Sequence, residues 1–343
     1  MDKIDKIKEL ENNDDELVVE VIRGDNEQNH NDNGDDTDKN AHIINMLSSE
    51  NVTRRISKLY RKHFKGRLLR ILCVLLAVIM IAVLCVNIVQ NKHFTVTFYQ
   101  IRSDKVSDNI RIIELADLHN KEFGENNIEL IEKIESLHPD LIVYAGDMMN
   151  YEDSDYSVLF NLSDELSKIA PIYACYGNNE LDQYLFCDKE FTKKLEEHGV
   201  ELLSNEKTTV TVGRSKLQFV AVSEGLKQYD VETNNGKKLI EKLRPTDACR
   251  ICLTHYPELF KEKLIGKNID IALTGHAHGG LIRIPKIGGL YSTGEGFFPT
   301  FTSGVNALED GTQLVVSRGL GSSSVIPRIN NQPELVVVDI CWY

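Results

Sequence analysis

The residues best placed to do chemistry are two histidines one position apart. Gly275-His276-Ala277-His278-Gly279-Gly280 directly follows an apolar run at 269–274 that reads as a strand. Small, glycine-flanked backbone just past a strand lets two imidazoles reach neighbouring points in one pocket, as metal ligands do. A polar loop that merely contains two histidines has the same sequence, and the motif alone does not choose between the two.

Four other apolar runs end in a similar way. Asp117-Leu118-His119 follows 110–116, Gly146-Asp147 follows 141–145, Gly177-Asn178-Asn179-Glu180 follows 172–176, and His255 follows 251–254. The carboxyl ends of strands are where α/β sheets place their sites, so five such ends form a pattern. Asp117, His119, Asp147, Asn178, His255, His276 and His278 together supply two carboxylates, one amide oxygen and four imidazoles. One ion rarely takes seven mixed ligands, whereas two divalent ions roughly 3.5 to 4 Å apart, sharing a carboxylate, use them naturally. Asp147, alone at its strand end, is the expected bridge. Manganese, iron and zinc all suit such an oxygen and nitrogen set.

These side chains need a scaffold, and the pattern from residue 94 onward provides one. Runs at 94–101, 110–116, 141–145, 172–176, 251–254, 269–274, 281–284, 314–317 and 335–340 read as strands, with a hairpin through Gly213 inside 202–222. Helical spacing occupies 128–137, 158–169 and 191–197, and 239–243 ends a further helix before Pro245. The alternation predicts one layered α/β domain over 94–343, with helices outside the sheets. Cys249 and Cys252 form a C-x-x-C, but positions i and i+3 of a strand face opposite ways and no second pair exists, so a structural role is expected.

The N-terminal part is of a different kind. Residues 1–50 carry 15 acidic against 5 basic side chains and bury too little apolar surface to order themselves, which predicts a disordered acidic tail. Residues 51–70 carry eight basic side chains and no acidic one. In 71–89 only Asn87 is polar. As a helix that run spans about 28 Å, against about 30 Å for a bilayer core, which predicts one transmembrane helix. The basic flank places the N-terminus in the cytoplasm and the domain outside. Of the net charge of −13, the tail and the basic segment nearly cancel, leaving −11 on the rest. So acidic a domain is poorly suited to gripping nucleic-acid phosphates, and no nucleic-acid partner is expected.

Taken in order, Asp117-x-His119, Gly146-Asp147, Gly177-Asn178-x-Glu180, His255 and Gly275-His276-x-His278 resemble the five signature blocks of the calcineurin-like metallophosphoesterases. The resemblance covers about residues 94–343. Stretches 118–120, 253–258, 275–284, 294–299 and 317–321 resemble the family's membrane-associated bacterial branch. This implies two packed mixed β-sheets flanked by helices. It also implies Asp117, His119 and His278 on one metal, Asn178, His255 and His276 on the other, and Asp147 between them. The implied activity is hydrolysis of a phosphomonoester or phosphodiester by a hydroxide bridging the two metals. A site beside a membrane points to a lipid headgroup, an envelope component or another extracellular phosphoester as substrate.

One position departs from the family's pattern. Its third block ordinarily reads Gly-Asn-His-Asp/Glu, with the histidine touching phosphate and protonating the leaving group, whereas this chain has Asn179. An amide hydrogen-bonds phosphate but cannot act as a general acid. Two readings therefore stand: a working phosphoesterase, and a catalytically weakened regulatory protein that keeps its metals to bind phosphate.

Overall fold

The computed structural model describes residues 50–151, 153–223, 234–322 and 327–342, so the acidic tail expected over 1–50 lies almost wholly outside the described residues. The chain divides into two compact units, residues 1–80 and 81–343. Helix α1, Glu50–Gln90, supplies the described part of the first unit and enters the second. Its stretch Arg61–Gln90 is long and apolar enough to cross a membrane.

The second unit is built on two six-stranded mixed sheets. The first contains β1 (Thr95–Arg102), β2 (Ile110–Leu115), β3 (Leu141–Tyr144), β4 (Ile172–Cys175) and β5 (Val200–Leu203). Its order is completed by the C-terminal strand Glu334–Cys341, inserted between β1 and β2. The second holds β6 (Lys207–Val212), β7 (Ser215–Ala221), β8 (Cys249–Leu253) and β9 (Ile271–Thr274). Strands Gly304–Ala307 and Gln313–Val316 extend it beyond β9.

Strands β3, β4, β8 and β9 are buried along their whole length, which is why they read as continuous apolar runs rather than alternating ones. Side chains such as Ile112, Val143 and Val336 from one sheet meet Phe219, Ile251 and Leu273 from the other in a central core. The outer face of the first sheet is covered by helices α2 (Ile128–Ser136), α3 (Ser157–Leu166) and α5 (Phe191–Glu197) through Leu130, Leu159, Leu162 and Phe191. Helix α4 (Asn178–Asp182) lies between α3 and α5 in sequence. On the second sheet, α6 (Asn234–Glu241) and α7 (Leu259–Glu262) contribute Ile240, Leu259 and Phe260 to a third core. The architecture is thus the expected pair of mixed sheets flanked by helices.

Cys249 faces the central core and Cys252 the outer one, in keeping with their spacing on a strand. Both are free thiols.

The hairpin expected through Gly213 is β6–β7, with Val212 paired to Ser215 and Gly213 at φ 57° in the turn. The start of the same segment, β5, belongs to the first sheet instead, with Asn205 at φ 52° in the crossing between the sheets. One local expectation is corrected. The strand expected at 281–284 shrinks to β10, Arg283–Ile284, paired with β11, Gly288–Gly289. Gly280 and Leu281 have φ of 75° and 51°, which ends any extended run there. A second small hairpin follows, β12 (Tyr291–Ser292) with β13 (Gly296–Phe297). The two remaining strands of the second sheet are β14 (Gly304–Ala307) and β15 (Gln313–Val316), and the C-terminal strand is β16.

One buried cation holds the second sheet to its surrounding loops. Arg250 is 2% exposed and donates from Nε to Gln218 Oε1 (2.8 Å), from Nη1 to the Asn268 carbonyl (2.7 Å) and from Nη2 to the Arg244 carbonyl (2.7 Å). Arg250→Ala would leave all three acceptors without their donor, and we expect it to lower stability by about 3 kcal/mol in chemical denaturation. A loss under about 1 kcal/mol would mean that water replaces the guanidinium at little cost.

Candidate metal centre

The turns that follow β2, β3, β4, β8 and β9 meet at one end of the two sheets. They are laced together by backbone hydrogen bonds: Asp117 N to the Gly146 carbonyl (2.9 Å), His119 N to the Asp147 carbonyl (3.1 Å) and Gly275 N to the His255 carbonyl (3.2 Å). Asp117, His119, Asp147, His276 and His278 all have positive φ, between 46° and 65°. This left-handed region is uncommon for residues with side chains, and clusters of it mark functional sites.

The side chains then converge. Asp117, His119 and His278 bring ligand atoms within 4.8 Å of one another, and so do Asp117, Asp147 and His255. His255 Nε2 lies 3.3 Å from Asp147 Oδ2 and 3.7 Å from Asp117 Oδ1. His119 Nε2 is 3.8 Å from Asp147 Oδ2, and His278 Nε2 is 3.8 Å from Asp117 Oδ1. Both carboxylates thus lie between imidazoles of different groups. His276 stands beside His255, with ring centroids 4.9 Å apart, and its Nε2 is 3.9 Å from Glu258 Oε1. Asn178 opens α4 next to Asp147: its neighbour Asn179 donates its backbone N–H to Asp147 Oδ1 at 2.9 Å.

A donor set for cations should leave lone pairs without protein partners, and this one does. Asp117 Oδ2, His119 Nε2, Asn178 Oδ1 and His255 Nε2 are buried and make no hydrogen bond. Both tautomers follow from the outer contacts. His255 Nδ1 lies 2.8 Å from the Ala145 carbonyl, which can only accept, so Nδ1 carries a proton and Nε2 is the nitrogen that faces the carboxylates. His119 Nδ1 is held at 3.1 Å by Asn150 Oδ1 in the same sense. Buried carbonyl, carboxylate and imidazole donors of this kind fit divalent manganese, iron or zinc.

Burial works against charge on His255, yet Asp147 and then Asp117 outweigh it and push the imidazole up to about 10, so a cation binding at Nε2 would displace a proton held there by the two carboxylates. Burial also opposes charge on Asp147, but His255 and His119 hold its carboxyl well below the usual range. Two buried carboxylates thus demand positive charge, which cations would meet. Burial takes His276 down to about 3 and His278 down to about 4, so both are neutral and able to donate a lone pair.

Several supporting residues carried no role in the sequence. Glu180 accepts three backbone N–H groups, from Asp147 (2.8 Å), Met148 (2.6 Å) and Gly177 (2.9 Å), and so fixes the two turns that carry Asp147 and Asn178. Burial and the neighbouring Asp147 charge push this carboxyl up to about 7, while three donors aimed at it favour the ionised form that accepts them. Gly177 is required by close approach, since a Cβ there would collide with Asp147 Oδ1. Arg328 is buried with one Nη 3.4 Å from His278 Nδ1, and Asn331 donates to the His278 carbonyl at 2.7 Å. Only Glu180 lay inside a motif; nothing in the stretch around Arg328 and Asn331 singles them out.

Arg318, inside one of the stretches resembling the membrane-associated branch, is engaged elsewhere. Its Nη2 bonds Glu334 Oε1 (3.1 Å) and its backbone N–H bonds Glu334 Oε2 (3.0 Å). Asn179, in the place of the family's histidine, is buried and accepts the Tyr151 N–H through its side-chain oxygen at 2.9 Å.

Residues 110–280 match the family model described as calcineurin-like phosphoesterase. Phosphodiesterase YaeI of Escherichia coli is 26% identical over 244 residues, which cover 67% of this chain and 82% of that protein. An uncharacterized metallophosphoesterase of Aquifex aeolicus is 25% identical over 256 residues, covering 71% of this chain and 90% of its own. Metallophosphoesterase YkoQ of Bacillus subtilis is 25% identical over 232 residues, covering 66% and 82%.

Proposed function

The chain belongs to the calcineurin-like phosphoesterase family, and from that premise we propose that it is a metal-dependent phosphoesterase held at a membrane by α1. The observation that carries this reading is the set of buried, unpartnered nitrogen and oxygen atoms around Asp117 and Asp147. Asp117, His119 and His278 would hold one divalent cation, Asn178, His255 and His276 the other, and Asp147 would serve both. Such a pair supplies Lewis acidity toward a phosphoryl group and lowers the pKa of water toward neutrality. The protein's part is to fix the ligands: Asn150 and the Ala145 carbonyl orient His119 and His255, and Glu180 holds the Asp147 and Asn178 turns together. The name of the Escherichia coli relative makes phosphodiesters the first substrates to test, ahead of monoesters.

The division of ligands predicts unequal losses. In the full-length chain, His278→Ala should lose the cation shared with Asp117 and His119, while His276→Ala should weaken the cation shared with Asn178 and His255. Metal analysis after manganese, zinc or iron loading, alongside turnover of aryl mono- and diesters, checks both claims. Equal losses in the two variants would argue against the division.

The basic segment before the apolar run supports a cytoplasmic N-terminus and an extracytoplasmic domain. Protease added to intact cells should then digest the domain; protection until the cells are opened would reverse the orientation. A second reading, a regulatory protein with weakened catalysis, is favoured by Asn179, whose amide offers no transferable proton. Full metal content with hydrolysis no faster than the Asp147→Asn variant, on every substrate, would select it.

A further inference from the structure

We infer that the two small hairpins after the histidine motif, β10–β11 and β12–β13, rest on the lipid surface of the membrane that α1 crosses. The inference depends on α1 spanning a bilayer. Among the described residues of α1, Asn87 alone is buried, while Val86, Ile88 and Val89 around it are exposed. Its side-chain nitrogen donates to the Arg328 carbonyl, and its oxygen accepts the Asn330 N–H at 3.2 Å. Asn91, one helical turn on, donates to the same Arg328 carbonyl at 3.1 Å. The end of the helix is therefore bonded to the backbone at 328–330.

That contact sets a depth. The apolar run ends at Val89, and a helix rises about 1.5 Å per residue, so the backbone bonded to Asn87 lies within about 5 Å of the edge of the hydrocarbon. The hairpins are bonded to that same backbone. Arg283 N donates to the Ile329 carbonyl at 3.0 Å, and Asn330 Nδ2 donates to the Arg283 carbonyl at 3.0 Å. Leu290 N then bonds the Ile282 carbonyl at 2.8 Å, and Phe298 N bonds the Leu290 carbonyl at 2.8 Å.

At the hairpins, Ile287 is 65% exposed, Phe297 72% and Phe298 64%. Apolar side chains that inserted about 5 to 10 Å into the boundary between headgroups and acyl chains would be covered by lipid. Continuity with the helix end selects the bilayer over a protein partner as the occupant. Because the same segment runs on from His276 and His278, lipid contact there would bring the metal centre to the level of the headgroups.

The chain has a single tryptophan, Trp342, which gives a direct test. In a Trp342→Phe background, Phe297→Trp, Ile287→Trp, Leu84→Trp and Lys168→Trp are each reconstituted at full length in nanodiscs, with and without lipids brominated near the headgroup end of the acyl chains. Leu84 lies in the apolar run, and Lys168 precedes β4, at the opposite strand end from the metal centre. Tryptophan at 297 and 287 should lose emission to brominated lipid about as strongly as at 84, and at 168 it should lose none. Quenching at 84 without quenching at 287 and 297 would overturn the docking surface while leaving the span intact. No quenching at 84 would overturn the span itself, and with it the inference.

Discussion

Asp147→Asn is expected to reduce phosphoester turnover by about 10³-fold or more and to lower metal content from two ions per chain to at most about one. The substitution is nearly isosteric, and an amide oxygen can still accept the Asn179 N–H that Asp147 Oδ1 receives at 2.9 Å. The fold should therefore survive, as circular dichroism and denaturation can verify. What disappears is the negative charge between His255 Nε2, 3.3 Å away, and His119 Nε2, 3.8 Å away. Those two imidazoles are assigned to different cations, so one lost charge weakens both positions. Asp117 Oδ1, 3.7 Å from His255 Nε2, is the group that could retain a single ion. Two ions retained, with turnover within about tenfold of the parent, would remove Asp147 from the shared position.

The strand ends carried most of what the sequence could say about the site. A ligand-type residue directly after a buried apolar run is a local signal, and Asp117, Asp147, Asn178, His255 and His276 all stood in that position. Their supporting contacts are not local. Arg328 meets His278 across 50 residues and Asn87 meets Arg328 across 241, so no window of sequence contains either pair. Asn87 is the clearest case. As the lone polar residue of an apolar run it is a minor flaw in a membrane helix; in the structure it joins Asn91 in tying the helix end to the segment at 328–330.

The fold shows the same division. The alternation of apolar runs and helical spacing was enough for a layered α/β domain, because strands buried on both faces leave an unbroken apolar record. It could not assign strands to sheets. Val200–Leu203 and Lys207–Val212 are separated by three residues yet join different sheets, a choice made by the partners β4 and β7 rather than by the residues between them. Leu281 looked like the start of a strand because it is apolar; its positive φ and its burial beside the histidine turn, set by tertiary contacts, override that pattern.

Asn179→His is expected to raise turnover of alkyl phosphoesters by about 10²-fold while leaving p-nitrophenyl esters nearly unchanged. The difference rests on the leaving group. A nitrophenolate departs readily as an anion, whereas an alkoxide needs a proton as its bond to phosphorus breaks. Asn179 cannot give one: its side-chain oxygen is committed to the Tyr151 N–H, and its NH₂ group can only donate a hydrogen bond. An imidazole at the same position titrates near neutral pH and can transfer a proton, at the cost of the hydrogen bond to Tyr151. The lower end of the usual range for acid catalysis, about 10²-fold, allows for that loss. Rates measured across esters of rising leaving-group pKa should fall steeply for the parent and gently for the variant. Parallel slopes would show that proton delivery comes from elsewhere, and Asn179 would then be a phosphate contact with no bearing on the choice between enzyme and binding protein.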